Sequence, residues 1–411
     1  MRKVVGVLAF VAVIALVVGG LAWWAARPSV PSEFYDRASD VPAASGVVVR
    51  AEPFRRGVPD GARGWRILYT STGMGGAQTV VSGTVLVPER PPEGGYGPVV
   101  AWAHGTTGIV RGCAPSMMPK PWAGIPALDE VIDRGWVVVA TDYEGLGTTG
   151  RHPYLVGEVA ARNVLDSIAA VGSLAEREPE AFGAGGAPEG PAVVWGHSQG
   201  GHSTIFSVQD AGAAEAGVVG GAAIAPATDL AALLEAADGT PVGKALTSLA
   251  MVAWSDVYDD VELDEVVRPL IVPLVRDIAS RCITIPEALV SVLEASAIWG
   301  DVLAVDPTED PVLSAHLAAN SPTGASAAGD PVDLFVAQGQ RDDVVDPDVT
   351  ERWVRRACRQ EATVVELHTY ADQDHLSIVA DDSPVDEALL AWTEDRLAGV
   401  APPAACTTTE H

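Results

Sequence analysis

The sequence predicts an α/β protein built on a mostly parallel, doubly wound sheet. Short, continuous apolar runs recur along the chain, as is typical of strands covered on both faces. Segments with helical periodicity separate these runs, so strand and helix alternate as they do in doubly wound sheets. The 411 residues are enough for one large domain of this class with an insertion.

Five apolar runs are expected to form the parallel strands, each followed closely by Gly, His, Asp or Pro. They are Pro98–Ala103, Trp136–Ala140, Ala192–Trp195, Val218–Ile224 and Val332–Ala337. The other predicted core elements are an antiparallel pair at Arg66–Thr70 and Thr79–Val87, helices at Gly157–Ala175, His202–Ala211, Pro347–Arg356 and Val385–Leu397, and a last strand at Val364–Tyr370. Residues 28–64 are rich in turn formers, and no strand is predicted there.

The alternation stops for about a hundred residues before the last strands. Residues 229–329 contain only helical patterns with Pro and Asp breaks, and we interpret them as an inserted cap. Its predicted helices are Leu230–Ala237, Gly243–Ala253, Leu263–Ser280 and Pro286–Ile298. The insertion divides the core into residues 28–228 and 330–400, and residues 401–411 are left as a tail.

Residues 1–27 form an apolar leader. Arg2 and Lys3 precede 23 uncharged residues, Val4–Ala26. A helix of that length extends about 35 Å, enough to cross a hydrocarbon core of about 30 Å. A small-residue site at Gly20–Ala22 would allow cleavage, whereas the continuation of the apolar run favours a retained anchor. Signal peptide and signal anchor both remain open, and both place the rest of the chain outside the cytoplasm.

Acidic residues dominate the composition. With 54 acidic and 26 basic residues, the formal net charge is -28, which argues against nucleic acid as a partner. The predicted cap, residues 229–329, holds 16 acidic and 4 basic residues. We expect this field to disfavour anionic substrates and to help release a carboxylate product.

The four cysteines predict two disulfides in an oxidising compartment. Cys113, Cys282, Cys358 and Cys406 form no CxxC pair and have no zinc-site spacing. Of the three possible pairings, we favour Cys113 with Cys282 and Cys358 with Cys406, because the second pair would fix the tail. Four buried free thiols are the alternative.

The first sequence evidence for a catalytic function is the pentapeptide Gly196–Gly200, GHSQG. It follows the predicted strand directly and precedes a helical run, as in a nucleophile elbow that exposes Ser198 at the edge of the sheet. Small residues at both ends of the pentapeptide let strand and helix approach each other closely. An ordinary strand-to-helix turn is the alternative interpretation.

A serine nucleophile needs a base and an acid that orients the base. His375 follows the last predicted strand and a short polar loop, which places it at the carboxyl edge of the sheet. Asp342 lies in the loop after Val332–Ala337 and is the favoured acid; Asp343 is its main competitor. Asp346 is expected to cap the following helix instead.

Ester attack also needs two backbone N–H donors for the oxyanion. One is expected from Gln199, the residue after the nucleophile. The other is expected from Thr106, in the glycine-containing loop after Pro98–Ala103. A simple turn at this loop is the alternative.

The chain resembles the secretory lipase family of the α/β-hydrolases, which includes fungal secreted lipases and actinobacterial relatives. The resemblance covers about Arg66 to Gly399. It is carried by the elbow, the cap and four motifs: Ala103–Thr106, Cys113–Ser116, Asp142–Gly147 and His152–Gly157. It implies triacylglycerol lipase or carboxylesterase activity, with a cap that helps to shape an acyl-binding tunnel and with the disulfides described above.

We therefore expect ester hydrolysis through an acyl-enzyme, without a metal or an organic cofactor. The substrate would be a lipid or small-molecule ester met outside the cytoplasm, with membrane contact through the leader or a lipid interface. A peptidase or an acyltransferase acting on cell-envelope substrates is the alternative enzyme. A noncatalytic tethered binding module is the alternative from another class.

Overall fold

A computed structural model describes residues 27–36, 41–91, 95–188, 190–236, 239–283, 287–326, 332–360 and 363–411. The apolar run of the predicted leader, Val4–Ala26, lies outside these residues, and so does its cleavage site. Within the described ranges, no helix is both long enough and apolar enough to span a membrane.

The strands of the described ranges form a single mixed sheet. They are β1 (Val48–Phe54), β2 (Ala62–Thr72), β3 (Gln78–Pro88), β4 (Val99–Ala103), β5 (Val137–Thr141), β6 (Ala192–His197), β7 (Val218–Ile224), β8 (Val332–Gly339), β9 (Thr363–Tyr370) and β10 (Thr407–Glu410). Their order is β1-β2-β3-β5-β4-β6-β7-β8-β9-β10. The first three strands are antiparallel, β3 pairs antiparallel with β5, and the remaining neighbours are parallel.

Helices cover both faces of the sheet. They are α1 (Leu128–Asp133), α2 (Gly157–Arg177), α3 (Pro179–Phe182), α4 (Gln199–Gln209), α5 (Leu230–Ala236), α6 (Pro241–Val257), α7 (Leu263–Val266), α8 (Val272–Ala279), α9 (Glu287–Ser296), α10 (Pro311–Ala319), α11 (Pro347–Ala357) and α12 (Val385–Leu397). Successive strand side chains point to opposite faces: Trp195 packs with α1 and α12, whereas Val194 packs on the side of α2. The predicted doubly wound sheet is confirmed.

Two strands were missed by the sequence patterns. β1 lies in the turn-rich stretch, where Arg50, Glu52 and Pro53 interrupt the apolar alternation. It is an edge strand and pairs only with β2, so it tolerates a proline. β10 lies in the predicted tail, where its exposed residues pair in parallel with β9 and leave no apolar signal.

Helices α5 to α10 lie between β7 and β8, and we call this segment the helical insert. Its members pack around an apolar cluster that includes Leu249, Met251 and Trp254 and that Ile109 and Tyr154 join from loops outside the insert. The single helix predicted at Leu263–Ser280 is wrong. Pro269 and Pro273 divide it into α7, a 3-10 turn at Pro269–Ile271 and α8, because proline cannot continue the hydrogen-bond ladder of a preceding helix.

Both favoured disulfides are present in the structure. Cys113–Cys282 joins the loop after β4 to the chain after α8, and so ties the core to the helical insert. Cys358–Cys406 joins the end of α11 to the chain that precedes β10. The second bridge lies beside the β9–β10 pair, so the segment predicted as a tail is attached to the sheet.

Candidate active site

Ser198 lies on a sharp turn between β6 and α4. Its φ of 57° and ψ of -117° are unusual for a residue with a side chain, and such backbone strain is common at functional sites. The turn depends on close backbone approaches. A Cβ atom on Gly196 would lie 2.2 Å from the Gly200 carbonyl oxygen, and one on Gly200 would lie 1.8 Å from that of Ala103. Both positions therefore require glycine.

Ser198, His375 and Asp342 form a hydrogen-bonded line. The Ser198 Oγ lies 3.0 Å from His375 Nε2, and His375 Nδ1 lies 2.8 Å from Asp342 Oδ2. The backbone N–H groups of Val344 and Val345 donate to the other carboxylate oxygen at 2.9 and 2.8 Å. An Nδ1–H that donates to Asp342 leaves Nε2 free to accept the serine proton.

The other acids of the same loop point elsewhere. The side chain of Asp342 has no solvent exposure, whereas Asp343 is exposed. Asp346 accepts from the backbone N–H of Asp348 at 2.8 Å and caps α11, as the sequence predicts. Of these three carboxylates, Asp342 is the one that meets His375.

The loop after β4 lies against the nucleophile. A Cβ atom on Gly105 would lie 3.6 Å from the Ser198 Cβ. The His104 Nδ1–H donates to the Gly105 carbonyl at 2.6 Å, and burial lowers the pKa of this histidine. Because C=O and N–H point in opposite directions across a trans peptide, this bond fixes the direction of the Thr106 N–H. The Thr106 and Tyr154 hydroxyls are hydrogen-bonded at 2.8 Å, so the side chain of Thr106 is also held in place.

Gln199 begins α4, and its side chain is held in place. Its amide Nε2 donates to His152 Nε2 at 3.2 Å, while His152 Nδ1 donates to the Glu144 carbonyl at 2.8 Å. Burial lowers the pKa of His152 to about 4, so the ring is neutral at neutral pH and can accept this bond. Gln199, Thr106 and Ser198 line one cavity.

Comparison with known proteins identifies the family. A family model described as Secretory lipase matches residues 125–404, which is more than half of the chain. This chain belongs to the secretory lipase family. It is therefore a carboxylic ester hydrolase. A comparison with curated proteins gives no match.

Solved structures share the fold of this secretory lipase at low sequence identity. Candida antarctica lipase A in its closed state has a TM-score of 0.72 and 15% identity, over 92% of this chain and 89% of that chain. The rice cell wall degrading esterase LipA from Xanthomonas oryzae, in a ligand-bound form, has a TM-score of 0.62 and 17% identity, over 87% of this chain and 97% of that chain. The fold is that of the α/β-hydrolases, as predicted.

The cavity at Ser198 extends into the helical insert of the lipase. Its empty volume is about 680 Å³, counting the part open to solvent. Most of the residues that line it are apolar, and α5 and α6 contribute Leu230, Leu233, Leu246, Met251 and Trp254 among them. Such a cavity favours an apolar chain over a polar one. In the described ranges, no group of three or more His, Cys, Asp or Glu side chains is placed to hold a metal ion.

Several residues of this site were not predicted as site residues. Tyr154 contacts Thr106, and its backbone carbonyl accepts from Trp254 Nε1 at 3.0 Å, so it links the core to the helical insert. Burial raises the pKa of Tyr154 to about 12, which keeps its hydroxyl protonated. Tyr154 and His152 belong to the motif His152–Gly157, so the family motif was the available signal for them. His197 adjoins the serine and contacts His375 through its side chain.

Proposed function

We propose that this chain is a lipase or esterase that cleaves lipid esters through an acyl-enzyme on Ser198. The line Asp342–His375–Ser198, with its 2.8 and 3.0 Å hydrogen bonds beside an apolar cavity that Ser198 lines, is the observation that carries the proposal. Triacylglycerol is the proposed substrate class and lipid catabolism the proposed role. The mechanism uses protein groups alone.

In the first half-reaction, His375 takes the proton of Ser198 as Oγ attacks the ester carbonyl carbon. Asp342 stabilises the imidazolium that forms and keeps the ring oriented. The negative oxygen of the tetrahedral intermediate is bound by the backbone N–H groups of Thr106 and Gln199. His375 then gives its proton to the departing alcohol, and the acyl group stays on Ser198.

In the second half-reaction, water repeats the sequence. His375 takes a proton from water, whose oxygen attacks the acyl carbon, and the same two N–H groups bind the oxyanion again. Collapse of this intermediate breaks the bond to Ser198 Oγ, which recovers its proton from His375. The product is a free carboxylic acid.

The helical insert acts as a cap that selects the acyl chain. The apolar lining from α5 and α6 favours chains without charge, and the net negative charge of residues 229–329 disfavours anionic substrates. Neutral esters are the proposed substrates on both grounds. The net charge of the whole chain, -28, argues against nucleic acid as a partner.

The protein works outside the cytoplasm and meets lipid at the cap. Two disulfides suit an oxidising compartment, and residues 1–27 have the composition of a signal peptide or an anchor. Leu270 and Trp299 are 96% and 93% exposed, and Leu289 and Leu293 are exposed one turn apart on α9. Large apolar side chains at the surface of the cap support contact with a lipid interface.

A panel of substrates tests the proposal. The wild-type protein should hydrolyse p-nitrophenyl esters of graded chain length, leave matched amides intact and react with a fluorophosphonate probe. Ser198→Ala should abolish both ester hydrolysis and labelling. Cleavage of amides without esters would favour a peptidase. Unlabelled protein, with no difference between wild type and Ser198→Ala, would favour a binding module.

A further inference from the structure

The nucleophile and the base come from strands that are not neighbours. Ser198 follows β6 and His375 follows β9, and two strands, β7 and β8, lie between them in the sheet. At about 4.8 Å per strand, β6 and β9 are separated by roughly 14 Å. The 3.0 Å contact between Ser198 Oγ and His375 Nε2 therefore depends on how the two loops are held above the ends of β7 and β8.

The loop of the base is tied closely to the loop of the acid. The backbone N–H of Arg341 donates to the Gln373 carbonyl at 3.0 Å, and the N–H of Gln340 donates to the Tyr370 carbonyl at 2.9 Å. Arg341 also forms an ion pair with Asp372. These contacts fix the base loop relative to Asp342, but they do not fix it relative to Ser198.

On the nucleophile side, the connection depends on His197. Its Nε2 lies 2.8 Å from the His375 carbonyl oxygen and must be the donor, since a carbonyl only accepts. Apart from the bond between Ser198 and His375, it is the one hydrogen bond between residues 192–203 and 371–377 in the described part of the chain. The two imidazole rings also pack together, with centroids 4.6 Å apart.

The environment of His197 keeps the ring in this role. The residue is 7% exposed, and a Cβ atom on Gly105 would lie 3.2 Å from its Nδ1, so the ring also contacts the loop of Thr106. Burial and the nearby charge of His375 lower the pKa of His197 to about 3. The ring is therefore neutral in the working range of pH, and its single proton is on Nε2, where it binds the carbonyl.

We propose that His197 is a positioning residue that holds the backbone of His375 within reach of Ser198. It directly precedes the nucleophile in the chain, so the strand end that fixes Ser198 also fixes the donor that orients the base. His197 acts through His375 and does not touch the reacting atoms. The inference rests on the proposed function, because it assigns His375 the role of base.

Two substitutions of similar polarity test the role of the Nε2 donor. In His197→Gln the side-chain amide nitrogen reaches about the position of Nε2, whereas in His197→Asn it lies near Nδ1 and cannot reach the carbonyl. On p-nitrophenyl butyrate, we expect His197→Asn to lower kcat by roughly 10- to 100-fold with little change in KM, because small displacements of a catalytic group are costly. His197→Gln should stay within about threefold of wild type.

His202 provides the matched control. It is fully buried on α4, and its Nε2 lies 2.8 Å from the Asn320 carbonyl oxygen, away from the base. The same two substitutions there should change the unfolding temperature but not separate in kcat. If His197→Asn does not fold, His197→Leu replaces it, since leucine also lacks the donor.

The outcomes distinguish this inference from the proposed function. Equal kcat values for the Asn or Leu variant and the Gln variant at residue 197 would overturn the inference, and so would losses that merely follow the unfolding temperature. In that case, an inactive Ser198→Ala protein would leave the proposed function standing. Ester hydrolysis that persists in Ser198→Ala would instead refute the proposed function.

Discussion

The catalytic edge of the sheet and the helical insert are built by different forces. At the edge, buried polar groups such as Asp342 and His375 are fixed by hydrogen bonds of defined length and direction. In the insert, apolar side chains such as Met251 and Trp254 pack around a cavity that has few polar groups. Changes at the edge should therefore alter the rate of bond cleavage, and changes in the insert should alter which acyl chain is accepted.

Four predictions test this difference, and the largest effect is expected from Asp342→Asn. The amide cannot accept from His375 Nδ1–H as the carboxylate does, and its own N–H would favour the wrong tautomer of the ring. We expect kcat to fall by roughly 10³- to 10⁴-fold on esters of every chain length. Asp343→Asn, one residue away and exposed, is the control and should keep wild-type kcat. Similar losses of kcat in both variants would show that the assignment of Asp342 as the acid is wrong.

Leu246→Trp should affect selectivity without affecting chemistry. Leu246 lines the cavity from α6, and a larger side chain there would shorten the space for an acyl chain. We expect kcat/KM for a long-chain p-nitrophenyl ester to fall roughly 10- to 100-fold, with the acetate or butyrate ester nearly unchanged. Val242→Trp serves as the control because this residue is exposed on the same helix. Equal losses on short and long esters would break the separation between edge and insert.

Acid should weaken the contact between core and insert at His202. Burial lowers the pKa of His202 to about 4, below the value of about 6.5 expected in the unfolded chain. The unfolded chain therefore binds the proton first, and stability is lost as pH falls from about 6.5 towards 4. Between pH 7 and pH 5, the free energy of unfolding should therefore fall by about 2 kcal/mol less in His202→Gln than in the wild-type protein, as measured by urea denaturation. Identical pH dependence in both proteins would contradict this assignment.

The charge of the insert should have the smallest effect. Residues 229–329 carry far more acidic than basic residues, so an anionic ester should be cleaved severalfold more slowly than a neutral ester of the same length. The difference should shrink as salt is raised from low to physiological concentration, because salt screens exposed charges. Faster cleavage of the anionic ester at low salt would show that the field does not select substrates.

The two regions also differ in how well the sequence predicts them. Ser198, His375 and Asp342 each follow a recognisable strand, so local patterns predicted residues that the structure brings together. The contact of His197 with His375 depends on loops that meet across β7 and β8, and no local pattern encodes it. In the insert, Pro269 and Pro273 interrupt the helical pattern, but the pattern alone does not show whether the segment forms one helix or two separate helices. The cavity lining depends on tertiary packing alone.

The central claim is that Ser198 carries the acyl group during turnover. It is tested most directly by quenching the reaction with p-nitrophenyl butyrate in acid after a few milliseconds and measuring the mass of the peptide that contains Ser198. We predict a butyryl adduct on that residue in the wild-type protein, which should disappear in Ser198→Ala together with ester hydrolysis. A butyryl group on another residue, or hydrolysis that continues in Ser198→Ala, would contradict the mechanism.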